Sequence, residues 1–107
     1  MQAIPLGLFT VTTAGTDQMF TLTAAQQALL PPLGLVRKIE IWPNPSATGF
    51  VKVRSGGQTL AEFPPNTTQP TFPWSAESCD GIGVNPLVFG LGAVTSGDGA
   101  FVTLWVD

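Results

Sequence analysis

The chain contains no histidine and no tyrosine, so the commonest general base and a phenolic acid are both missing. A Ser-His-Asp or Cys-His nucleophile cannot be assembled without histidine. Neither Lys38 nor Lys52 stands in a recognisable Ser-Lys motif. Glu40, Glu62, Glu77, Asp80 and Asp98 show no spacing that groups two of them as a hydrolytic pair. Asp80 and Asp98 each precede a glycine, which turn chemistry accounts for. The expectation is a protein with no catalytic residues, no cofactor and no enzymatic activity.

Cysteine is nearly absent as well. Cys79 stands alone, which rules out an intramolecular disulfide and, without histidine, a structural zinc site. It reads as a small apolar residue, with a disulfide between subunits left open. Glu77 and Asp80 carry oxygens that calcium accepts, but their spacing matches no calcium loop, so no metal site is expected.

Charge is scarce. Charged residues make up 10% of the chain, against about a quarter in an average soluble protein. The four basic residues, Arg37, Lys38, Lys52 and Arg54, are scattered in a chain of net charge −3. Nucleic acid needs a dense basic footprint and is not expected as a partner. Long apolar runs are missing too: Gly, Pro, Asn and Gln interrupt every tract before the roughly 20 residues a spanning helix requires. With Arg37 the first basic residue, no positive stretch precedes an apolar one as in a signal peptide. Folding in a cytoplasm, without membrane insertion, is the expectation. The glycines at Gly90-Leu91-Gly92 and Gly97-Asp98-Gly99 read as strand kinks or turns, since neither opens a helix as phosphate loops do.

What is present is apolar: 44% of the residues are hydrophobic. With so few charges to keep a surface wetted and self-repelling, burial of part of that surface by neighbouring subunits is expected. The alternative is a rigid monomer surfaced with Thr, Ser, Asn and Gln. A length of 107 residues suits one domain, residues 1–107, with one modest core. The 12 glycines and 10 prolines are spread along the chain, punctuating short strands without marking a linker.

Strands are expected at residues 6–13, where Leu6, Leu8 and Phe9 supply apolar contacts, and at 18–23, 35–42, 48–54, 59–63, 71–75, 87–94 and 100–106. Thr23 and Gln26 have the spacing of a capping box, and Pro31-Pro32 ends the short helix that follows. Ser55-Gly56-Gly57-Gln58 and Ser96-Gly97-Asp98-Gly99 read as hairpin turns. Residues 64–70 form a proline-rich loop, in which the Asn66-Thr67-Thr68 sequon is a coincidence without a secretory signal. Pro73 places its strand at a sheet edge. The fold class is all-β: an antiparallel, jelly-roll-like β-sandwich of seven to eight short strands with one helical turn.

The strands at 35–42 and 48–54 suggest an antiparallel pair with Glu40 opposite Lys52, Trp42 opposite Phe50 and Lys38 opposite Arg54. In that register Ile39, Ile41, Val51 and Val53 face the core, leaving an aromatic pair outside. Phe101 and Trp105 likewise alternate against Val102, Leu104 and Val106. A terminal strand apolar on both faces is not expected to leave one face in water. Trp42, Phe50, Phe101 and Trp105 are therefore the expected interface anchors, and Lys38, Glu40, Lys52 and Arg54 its polar rim. Trp74 offers no such argument.

The stretch Val36-Arg37-Lys38-Ile39-Glu40-Ile41-Trp42-Pro43-Asn44-Pro45-Ser46-Ala47-Thr48-Gly49-Phe50-Val51-Lys52-Val53 resembles small β-sandwich virion proteins of tailed bacteriophages. These show a basic-apolar alternating strand, an Asn-containing turn, then Thr-Gly and an alternating Val strand. The proline-rich loop and the last glycine turn and strand are also similar. The sequence departs from the pattern at Lys52, where an aromatic is common, and in the density of proline from Pro64 to Pro73. The resemblance implies a capsid decoration (cement) protein on the exterior of a virion. Its partners would be the major capsid protein and its own copies, as a trimer. A tail, fibre or head accessory subunit touching a neighbouring protein or host glycan is the alternative.

Overall fold

The computed structural model describes residues 2–32, 34–64, 73–77 and 83–106. Cys79, Asp80, most of the proline-rich loop and the start of the strand expected at 71–75 lie outside them. Among the described residues eight strands are formed: β1 (Gln2–Thr10), β2 (Gln18–Met19), β3 (Lys38–Pro43), β4 (Val51–Ser55), β5 (Gln58–Phe63), β6 (Trp74–Glu77), β7 (Phe89–Ala93) and β8 (Gly99–Val106). One short helix, α1 (Ala24–Ala28), sits between β2 and β3. Its capping box is made as expected: Gln26 N–H donates to Thr23 Oγ1, and Thr23 N–H to Gln26 Oε1.

The strands form two antiparallel four-stranded sheets, ordered β1-β8-β3-β6 and β2-β7-β4-β5. The pairs β4·β5, β3·β6, β2·β7 and β1·β8 nest around the turn at Ser55-Gly56-Gly57-Gln58. The chain is thus a double-stranded ribbon folded at that turn and rolled, with β3·β8 and β4·β7 closing each sheet. Period-two alternation sends one set of apolar side chains inward. Ile4, Ile39, Ile41, Val102, Leu104 and Val106 from one sheet meet Val51, Val53, Phe63, Leu91 and Ala93 from the other, all buried. Phe9 and Phe20 close one part of this core edge-to-face, with ring centroids 5.1 Å apart.

Three expectations are corrected. First, β3 and β4 are not neighbours: β3 pairs with β6 and β8, β4 with β5 and β7. Residues 44–50 carry the chain from one sheet to the other, so Glu40 does not face Lys52, nor Trp42 Phe50, nor Lys38 Arg54. The core faces Ile39, Ile41, Val51 and Val53 are as expected, because alternation fixes a strand's inner face but not its neighbour. Second, Ser96-Gly97-Asp98-Gly99 turns the chain between sheets instead of closing a hairpin, since β7 and β8 belong to different sheets. Third, residues 87–94 are not one strand. Pro86–Val88 form a 3-10 turn before β7 begins.

Every sheet edge is blunted. In β1, Pro5 offers no N–H and the register slips between Pro5 and Gly7. In β5 the slip opposite Val53 and Arg54 leaves Leu60 unmatched. β6 has four residues and follows Pro73, and β2 has two. Prolines, bulges and short length are the devices that stop edge-to-edge polymerisation.

Inside the sheet, β1 and β8 approach so closely at Gly99 that a Cβ there would collide with the carbonyl oxygen of Phe9. Gly99→Ala is expected to cost about 1–3 kcal/mol through overpacking, seen as a lower urea unfolding midpoint.

Candidate functional site

The same alternation that fills the core sends a second set of side chains to the outer face of the β1-β8-β3-β6 sheet. β8 presents Phe101, Thr103 and Trp105, and β3 presents Lys38, Glu40 and Trp42. Register aligns them in rows across three strands. Leu8, Phe101 and Trp42 form one row; Pro5, Thr103 and Glu40 the next; Ala3, Trp105 and Lys38 the third. The first row is open to solvent, with Leu8 46%, Phe101 43% and Trp42 43% exposed. Three large apolar side chains thus stand side by side on one sheet face.

The polar side chains bordering the row are already partnered. Trp42 Nε1–H donates to Glu40 Oε1 at 2.8 Å, which holds the indole in one orientation. Lys38 Nζ lies 3.4 Å from Glu40 Oε2 and 3.7 Å from Glu77 Oε1. Trp105 is half-buried beside them, and its buried Nε1 has no hydrogen-bond partner among the described residues. Trp74 leans inward, packing on Phe89 at 5.8 Å between ring centroids.

The remaining three expected site residues lie on the other sheet. Phe50 is exposed next to β4, and Lys52 and Arg54 project outward from it. Lys52 Nζ pairs with Glu62 Oε1 at 3.8 Å. Arg54 Nε donates to Asp17 at 3.0 Å, and its terminal nitrogens donate to Thr59 Oγ1 and Gly57 O. Gly92 lies beneath the Arg54–Asp17 pair, at the floor of an open depression of about 510 Å³ lined also by Lys52, Ala93 and Val94. Of the eight expected site residues, the structure therefore gathers Lys38, Glu40, Trp42, Phe101 and Trp105. It separates Phe50, Lys52 and Arg54 from them.

Two residues carry more than sequence reasoning assigned. Leu8 reads from the sequence as an apolar contact of the strand expected at residues 6–13. The slip between Pro5 and Gly7 reverses the inside and outside of β1, so Ile4 is buried and Leu8 exposed. The Pro5 and Gly7 flanking Leu6 were the available signal. Asp98 is more than a turn residue. Only 8% exposed, its carboxylate accepts from Thr48 N–H at 3.1 Å, Gly49 N–H at 2.8 Å and Thr48 Oγ1 at 3.2 Å. It fastens the crossing between β3 and β4 to the start of β8.

Among the described residues, no group of three or more Cys, Asp or Glu side chains comes close enough to hold a metal ion. No described helix is long and apolar enough to cross a membrane. Compared with models of protein families, with curated proteins and with solved structures, the chain matches none.

Removing the Asp98 carboxylate strands two backbone amides and a hydroxyl. Asp98→Ala is expected to lower stability by about 1–3 kcal/mol, measured by chemical denaturation. The accompanying sign should be faster amide exchange at Thr48 and Gly49.

Proposed function

We propose that this protein is a virion structural subunit: a jelly-roll decoration protein that lies on the outside of a capsid and clamps neighbouring shell subunits. The observation that carries this reading is the in-register row of Leu8, Phe101 and Trp42. An open apolar row on a rigid sheet, with Trp42 pre-oriented by Glu40, has the composition of an interface core. Holding the indole in place before contact reduces the ordering cost of binding.

The strand order supports the same reading. Four nested antiparallel pairs, in sheets ordered 1-8-3-6 and 2-7-4-5, are compatible with the jelly-roll part of this proposal, an architecture found among capsid proteins. The blunted edges fit a subunit that must sit at high density on a lattice without adding strands to its neighbours. The likeness of residues 36–53 to small phage virion proteins points to the major capsid protein as partner, with copies of this chain as a trimer. Each copy would bind modestly, and an oligomer bridging several shell subunits would gain avidity.

Particles stripped of the protein supply the test. The double variant Trp42→Ser, Phe101→Ser removes two of the three row residues from an exposed face. Its binding to such particles is expected to weaken by at least about 30-fold, the effect of losing one interface hot spot, with its unfolding midpoint nearly unchanged. Wild-type binding by the folded variant would remove the proposed interface.

A further inference from the structure

We infer that the open depression on the outer face of the β2-β7-β4-β5 sheet is a binding site for a small monocarboxylate with a hydrocarbon body. The inference goes beyond the virion reading and stands without it. The hollow exists because β7 carries a glycine at an outward position, where a strand ordinarily presents a side chain. Gly92 is paired with Lys52, so nothing fills the space between that strand pair and the turn that precedes β2. The turn is fastened in place: Gly15 N–H donates to Ala93 O at 3.0 Å, and Ala14 N–H to Ser96 Oγ at 3.0 Å. The result is a preformed hollow of about 510 Å³, a size usual for small-molecule sites.

Its charge is opposite in sign to that of the molecule. Lys52, Arg54 and Asp17 are the charged side chains of the lining, two cations to one carboxylate, in a chain of net charge −3. Arg54 is held flat and ready. Its Nε–H goes to Asp17, and each terminal nitrogen gives one N–H, to Thr59 Oγ1 and to Gly57 O. A guanidinium has five N–H groups, so these three contacts leave one on each terminal nitrogen. Lys52 is held more loosely. Its partner Glu62 lies 3.8 Å away on β5, on the side of β4 away from β7, and the two side chains are 39% and 50% exposed. One excess positive charge suits a monoanion, while Asp17 in the same lining repels a dianion such as phosphate. The remaining side chains of the lining are apolar, Ala14, Ala93 and Val94. Val94 is 62% exposed, and its N–H donates to the carbonyl of Phe50, which is exposed beside it. A few convergent charges at one end of an apolar hollow are the layout of a site for a carboxylate with a short hydrocarbon chain. It draws on Phe50, Lys52 and Arg54, the three expected site residues that the aromatic row leaves out.

Titrating the isotope-labelled full chain with hexanoate tests this, read as NMR shifts of the Gly15, Gly92 and Val94 amides. Saturable binding is expected, with a Kd of about 10 mM or tighter. Hexanol and hexylammonium, which lack the carboxylate, should bind at least about tenfold more weakly. Acetate, which lacks the hydrocarbon chain, should also lose at least about tenfold. Lys52→Gln removes the looser cation and is expected to weaken hexanoate at least about fivefold. Ala14→Phe fills the hollow from an exposed turn position and should abolish binding; both variants should unfold near the wild-type midpoint. Raising salt from about 0.05 to 0.5 M should weaken hexanoate binding by screening. Failure of hexanoate to saturate these amides overturns the inference. So does hexanol binding as tightly as hexanoate. Equal shifts from hexanoate, acetate, chloride and phosphate would mean an adventitious ion only, and hexanoate binding untouched by both variants would lie elsewhere; each overturns the inference. None of these outcomes bears on the aromatic row, whose test uses particles and different residues.

Discussion

Strand β8 is the element on which the rest of the structure depends. It lies between β1 and β3 and is hydrogen-bonded to both along nearly its whole length. Ala100, Val102, Leu104 and Val106 fill the core from one side, while Phe101 and Trp105 must then stand on the other. Alternation allows no exchange between these roles, because a one-residue slip would put every core side chain in water. Its entry is fixed at Gly99, where β1 leaves no room for a side chain, and by the Asp98 clasp on Thr48 and Gly49. A strand so constrained carries its outer aromatics rigidly, and the Leu8–Phe101–Trp42 row follows from its pairing.

Charge imposes the second constraint. The eight charged side chains whose partners are described above are all engaged within the chain: Arg54 with Asp17, Lys52 with Glu62, Lys38 with Glu40 and Glu77, and Asp98 with backbone amides. Surface pairs of this kind add little stability, about 0–1 kcal/mol each. Their effect is on recognition, because a charge with a partner at home gains less from a new one. Apolar contact and shape are left as the main terms at the proposed sheet-face interface.

Much of this was legible in the sequence. The all-β class, the capping box at Thr23 and Gln26, the turn at Gly56-Gly57 and the inner faces of β3, β4 and β8 all follow from local rules: period, caps and positive-φ glycines. Five of the eight expected site residues also share one face. What local rules do not encode is which strand lies beside which. The pairing of Trp42 with Phe101 joins residues far apart in sequence, and nothing in the alternation of β3 distinguishes β4 from β8 as a neighbour. Val36 shows the same limit on a smaller scale. Phase alone groups it with Lys38, yet it is buried through an isolated bridge to Val84 outside β3. Leu8 was misplaced because a single register slip reverses a face, and Asp98 because its partners lie some fifty residues away.

The proposal that the chain is a regularly repeated coat subunit is tested most directly by its copy number in purified virus particles. Quantified against the major shell protein, the account predicts a stoichiometric ratio, with the chain present in numbers comparable to the shell subunits. A ratio far below that would place it at a tail, fibre or other single vertex, and its absence from the particles would contradict the virion reading altogether.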